Sequence, residues 1–222
     1  MKKFILLSII IVSLFFTFVA CDLNDGEIRT TITEKEWEAI DNITNYTLNI
    51  NISSDREDGG KSHQVNVIKS TDTARYSKSS SSQYATLSDV SYYVITEGQP
   101  YVINHWNKQA LQWDKDVWYA DKADWWKPKS IYDELSWVDL EYKDLVYNKE
   151  EKAYVYTLKE NELIGIISYY FEDGNLVRAT AYTYQAEKIE EIDESNCVEE
   201  IVATISSIGT TEVEVPEYII VE

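Results

Sequence analysis

Hydrophobic positions follow three different patterns along this chain. Residues 4–20 are apolar, broken only by Ser8, Ser13 and Thr17, and Met1-Lys2-Lys3 precedes them. A short basic start, an apolar stretch and a small residue at its end form the pattern of a secretory signal. The stretch lies at the bottom of the range for a spanning helix, about 17–25 residues, so an uncleaved N-terminal anchor is the competing reading. The second pattern is helical. Thr33 and Glu36 have capping-box spacing, Ile32 and Trp37 sit where a hydrophobic staple closes, and Trp37 and Ile40 share a face. This predicts a short helix ending near Ile43.

From Asn45 the period becomes two. Tyr46, Leu48, Ile50 and Ile52 alternate with Asn45, Thr47, Asn49 and Asn51, which predicts a strand with one dry face. Asp58-Gly59-Gly60 predicts a turn, with Val65 and Val67 continuing the alternation in the partner strand. Residues 75–78 suggest a third strand, and the serine run 77–82 reads as a loop. Residues 92–95 and 101–103 flank Glu97-Gly98-Gln99-Pro100, a hairpin turn. One strand is expected over 111–119. The pattern loosens over 120–147, where Ile131, Leu135 and Val138 predict one or two short helices. Strands resume at Tyr154, Tyr156 and Leu158. The clearest hairpin is 164–170, Glu172-Asp173-Gly174-Asn175, then 176–184. A solvated acidic stretch, 187–194, precedes strands at 198–208 and 211–215.

This order of elements predicts an α+β fold. A sheet of about nine to eleven strands curls strongly. The expected form is a curved antiparallel half-barrel, with the N-terminal helix and the short helical insert packed on its concave face. The expected organisation is a signal over 1–20, a tether over 21–31 and one domain over 32–222.

Composition narrows the role. The chain of 222 residues carries 39 Asp and Glu against 20 Lys and Arg, a formal charge of −19. Loss of Lys2 and Lys3 with the signal makes the body more acidic still. Phosphate backbones are repelled by such a body, so nucleic acid is not an expected partner. Anionic lipid is also disfavoured as a bed for the domain, which should stand off the bilayer on its tether.

Residues Phe18-Val19-Ala20-Cys21 resemble the lipobox of bacterial lipoproteins, with Phe18 in place of the usual Leu. The resemblance implies that the Cys21 thiol carries a diacylglycerol and becomes the mature N-terminus. It also implies a lipid-anchored protein on the extracytoplasmic face of the cell membrane. Two acyl chains hold far better than one, at about 0.8 kcal/mol per buried CH₂. Cys197 is then a lone thiol among Glu194, Glu199 and Glu200, an environment that raises its pKa and keeps it inert.

The lipobox, the capped helix leading into Asn45-Tyr46-Thr47, the meander of strands and the Trp-rich acidic middle together resemble LolA/LppX-like lipoproteins. So do the strand–Asp-Gly–strand pair and the ending Gly209-Thr210-Thr211 through Pro216. That resemblance covers nearly the whole mature chain. It implies a half-barrel that binds lipid or another hydrophobic ligand and catalyses nothing.

No catalytic constellation is legible. There are two histidines, His63 and His105, no H-E-x-x-H and no cysteine pair, so neither a metal nor a cofactor is expected. Asp114, Asp116 and Asp121 loosely resemble a calcium loop, but the glycine at its sixth position is missing and Trp125 stands where Glu is required, which leaves at most a weak surface site. No G-x-S-x-G and no phosphate-cradling glycine loop occur. The aromatic set is the distinctive feature. Trp106, Trp113, Trp118, Trp125, Trp126 and Trp137 are candidate ligand-binding residues, against the blander expectation that they fill a core. The leading expectation is a monomeric, non-enzymatic lipoprotein holding a hydrophobic or lipid-like ligand. The alternative is an envelope interaction module that recognises glycan or an envelope protein through exposed aromatics. An enzyme is the third.

Overall fold

The computed structural model describes residues 34–56, 59–82, 89–135 and 140–221. Cys21, the tether, the cap at Thr33 and Trp137 lie outside them. Among the described residues no helix is long and apolar enough to cross a membrane.

Helix α1, Glu34–Asp41, leads into strand β1, Tyr46–Asp55. The strands β2, Lys61–Ser70, β3, Ala74–Ser81, β4, Asp89–Thr96, and β5, Gln99–Asn104, follow as a meander. Two short strands, β6, Trp106–Asn107, and β7, Gln112–Trp113, form a separate hairpin before β8, Tyr119–Lys122. Helix α2, Ile131–Leu135, and a 3-10 turn, Tyr142–Asp144, occupy the middle. The strands β9, Val146–Asn148, β10, Ala153–Glu160, β11, Leu163–Glu172, β12, Asn175–Gln185, and β13, Cys197–Ser206, complete the meander. A terminal strand β14, Ile219–Ile220, pairs parallel with β8.

The protein is mostly β. One 12-stranded curved sheet runs β14-β8-β5-β4-β3-β2-β1-β13-β12-β11-β10-β9 and does not close into a barrel. Two-residue turns set the register of the β4–β5 and β11–β12 hairpins. Glu97 (φ 54°) with Gly98 (φ 77°), and Asp173 (φ 49°) with Gly174 (φ 80°), both take left-handed conformations. That is the turn whose twist matches paired antiparallel strands.

Alternation along β1 sends Tyr46, Leu48 and Ile50 to one face. Their cross-strand neighbours Ile68, Ala203 and Ile205 join them, and so do Ile167, Tyr169 and Ala179 from the strands beyond. Ile40 of α1, Ile131 and Leu135 of α2, Leu140 and Leu145 close over this face. Burying each Leu or Ile among them contributes roughly 1.5–3 kcal/mol. Trp37 fixes α1 by edge-on contacts with Tyr132 and Tyr169, both at 5.4 Å. The opposite face carries a smaller cluster, Val94, Tyr101, Ile103 and Ala120, packed against Trp118, Val215 and Tyr218.

Val65 and Val67 continue the alternation in the partner strand as expected; they pair with Asn51 and Asn49 and so lie on the face away from the helices, where Val65 is 41% exposed, while Ile68 joins the core. Five expectations change. The expected α+β class gives way to a mostly β one, because the helices are short and the strands fill most of the described residues. Serines 77–81 form a strand, because β2 and β4 supply pairing on both sides and context overrides propensity. The expected strand over 111–119 is two, β7 and β8, separated by a turn in which the Asp116 amide donates to Asp114 Oδ1. Residues 211–215 pair with no strand and instead strap the opposite face. The strand total exceeds the nine to eleven expected.

Candidate functional site

The helix-bearing face has two halves of different chemistry. Under α1 and α2 it is filled: Tyr46, Leu48, Ile131 and Leu135 are at most 1% exposed. Beyond Ile68 the same face turns polar. Alternation and register bring Gln64 and Asn66 of β2, Ser77 and Ser79 of β3, and Ser91 of β4 together, all half-buried. Gln64 Nε2 donates to Asn66 Oδ1 at 3.0 Å and to Ser79 Oγ at 3.3 Å. Ser54 and Ser62 share a hydroxyl bond of 2.8 Å at the far end.

An aromatic wall bounds this polar field. Tyr93 sits opposite Arg75 in the β3–β4 register. The Trp126 ring stacks on Tyr93 at 5.5 Å, and Trp125 meets the same ring edge-on at 5.9 Å. The turn carrying both tryptophans is tied to β5: the Ala123 amide donates to the Pro100 carbonyl at 2.9 Å, and the Trp126 amide to the Ala123 carbonyl at 2.7 Å. Trp126 is buried, whereas Trp125 is 71% exposed. The Trp126 indole N–H is buried without an acceptor among the described residues, a state that costs free energy unless a partner arrives.

Arg75 stands where the two halves meet. Its guanidinium pairs with Glu134 of α2 at 2.8 Å and lies 5.6 Å from the Tyr93 ring centre. Both charged side chains are nearly buried, 13% and 9% exposed. Tyr46 lies close by in the packed half. Its phenol donates to the Lys129 carbonyl at 3.2 Å, and burial, reinforced by the Glu134 charge, pushes its pKa well up.

The tryptophans expected as one ligand set lie in separate places. Trp125 and Trp126 flank the polar field. Trp118 is on the opposite face, against Tyr92 at 5.2 Å and the His105 ring at 3.7 Å. Trp106 and Trp113 face each other across the β6–β7 hairpin at 5.4 Å. Sequence reasoning passed over Tyr93, Arg75 and the polar field. The signal was there as polar residues at every second position of β2 and β3, in register with the dry face of β1.

His105 Nδ1 lies 3.0 Å from the Val117 carbonyl and is tied up in packing. Among the described residues no three His, Cys, Asp or Glu side chains assemble as a metal set. Cys197 faces Tyr184 across β12–β13, and burial and the Glu200 charge raise its thiol pKa. A groove of about 770 Å³ at the β14 edge is lined by Tyr101, Lys108, Gln109, Asp121, Lys122, Ile220 and Val221.

Neither a family model nor a curated protein matches the chain. A structural comparison pairs 84% of it with 95% of the S-type phycobiliprotein lyase CPES from Guillardia theta, at 6% identity and a TM-score of 0.32. At that TM-score the superposition does not define a shared fold.

Proposed function

We propose that this chain is a lipid-anchored, extracytoplasmic binding protein of the LolA/LppX-like kind, without enzymatic activity. In this reading Cys21 carries the diacylglycerol, the sheet forms a half-barrel with α1 and α2 in its hollow, and the ligand rests on the polar half of the helix-bearing face. One observation carries the choice of ligand: a polar row runs from Gln64 and Asn66 through Ser79 to Ser77 and Ser91, and its near end lies beside Tyr93, against which an exposed indole, Trp125, is held. Hydroxyl-rich ligands present polar edges and an apolar ring face, and this surface offers a counterpart to both. Envelope glycan is therefore the ligand class we favour.

A hydrophobic or lipid-like ligand is the second reading, supported by the same aromatic wall. The packed half leaves it no room beneath α1 and α2, so it would have to lie along Tyr93 and Trp125.

Two measurements separate the readings. Purified protein is incubated with insoluble peptidoglycan and with soluble envelope polysaccharide. Retention on either should fall at least tenfold on Trp125→Ala. Native mass spectrometry of protein taken from its host tests the second reading through co-purifying lipid. No retention together with a lipid adduct would replace the first reading with the second.

A further inference from the structure

The polar row on the helix-bearing face has a length and a direction. Register sets its members on successive levels of the sheet, each two residues further along the strands. Tyr93 stands opposite Arg75, Ser91 opposite Ser77, Ser79 opposite Asn66, and Gln64 opposite Ser81. Two residues advance a strand by roughly 6.6 Å, at about 3.3 Å each. From Tyr93 to Gln64 the row therefore runs about 20 Å along the strands. It also steps sideways by two strands, from β4 through β3 to β2, about 10 Å. A single sugar ring on Trp125 spans only the near end of that path.

The chemistry is uniform along that length. Every group is an amide or a hydroxyl, able both to donate and to accept. Gln64 Nε2 is engaged with Asn66 and Ser79. Among the described residues, Asn66 Nδ2, Ser77 Oγ and Ser91 Oγ make no hydrogen bond, and all three belong to half-buried side chains. A ligand hydroxyl also donates and accepts, so it pairs with any of them. A carboxylate or phosphate only accepts, and is held best by a cation. The cation at the near end, Arg75, is already paired with Glu134 at 2.8 Å. The charge that the register sets beside the row is acidic, Asp89 opposite Ser79.

Within the glycan reading given above, we infer that this surface selects an extended, uncharged oligosaccharide of about three units or more, rather than a single sugar or a charged polymer. One ring stacks on Trp125. The following units lie over Ser77 and Ser91, and then over Ser79, Asn66 and Gln64. Each added unit gains hydrogen bonds until the row ends, so affinity rises with chain length and then levels off.

The test titrates the full-length protein calorimetrically with oligomers of chitin and of cellulose, from mono- to hexasaccharide, and with galacturonic acid oligomers of the same lengths. In at least one uncharged series, affinity should rise at least tenfold from di- to tetrasaccharide and change less than twofold from penta- to hexasaccharide. Gln64→Leu should at least halve that rise. Uronic acid oligomers should bind at least tenfold more weakly than uncharged ones of equal length. Equal affinity for mono- and hexasaccharide overturns the inference and leaves the glycan reading standing. Equal affinity for the uronic acid series overturns the selection against charge. Absence of binding across all three series also overturns the inference, and retention on insoluble peptidoglycan then decides whether the glycan reading falls with it.

Discussion

Arg75 of β3 and Glu134 of α2 meet at 2.8 Å where the packed half of the helix-bearing face gives way to the polar half. The pair pins the short helix α2 to a strand that supplies no other charge to that face. Removing one partner strands the other in a nearly dry place. Arg75→Leu should therefore cost about 3–5 kcal/mol, while Arg75→Leu with Glu134→Leu recovers most of it. Urea midpoints of the two variants check this. Equal losses in both would mean that packing, not charge, sets the cost.

The register predicts an asymmetry between two aliphatic residues on neighbouring strands. Leu48 is fully buried, whereas Val65 is 41% exposed on the other face. Leu48→Ala should cost roughly 2–5 kcal/mol, and Val65→Thr about 0.5 kcal/mol or less. Chemical denaturation of both variants tests the face assignment.

Two buried phenols make stability fall in alkali. Burial raises the pKa of Tyr46 and Tyr169 well above the ordinary value of 10.0. The native state then holds protons that the unfolded chain releases. The stabilisation is complete below pH 10 and is lost as pH rises towards the native pKa values. Tyr169→Phe should flatten the decline above pH 10, while near neutrality it removes only the bond to the Leu135 carbonyl at 3.4 Å. Thermal midpoints from pH 8 to 11 measure both effects. An unchanged slope would contradict the burial account.

Cys197 should alkylate slowly. Burial and then Glu200 raise its thiol pKa, so little thiolate forms at pH 8. Glu200→Gln removes one cause and should increase the rate with iodoacetamide severalfold at that pH. Rates measured between pH 7 and 10 give the shift directly, and identical profiles would remove Glu200 as a cause.

How much was legible in the sequence differs by element. The β1 alternation, the β4–β5 hairpin and the β11–β12 hairpin were all readable, because period two and Gly-containing turns are local signals. The strand over the serines of β3 was not, since only the flanking strands make that run extended. The tryptophans looked like one group because they are close in sequence. The chain then sends Trp118 to one face and Trp126 to the other, and folds Trp106 onto Trp113 in a hairpin. Tyr93 escaped notice because its value lies in what stacks on it.

The central claim is that the polar field beside Trp125 holds a hydroxyl-rich ligand. Calorimetric titration with soluble fragments of the host's envelope glycan measures this most directly, comparing the native protein with Trp125→Ala and with Ser77→Leu. The account predicts saturable binding, weakened at least tenfold by each substitution, with folding unchanged by circular dichroism. Native-like affinity in both variants, or no heat from the native protein, would contradict it.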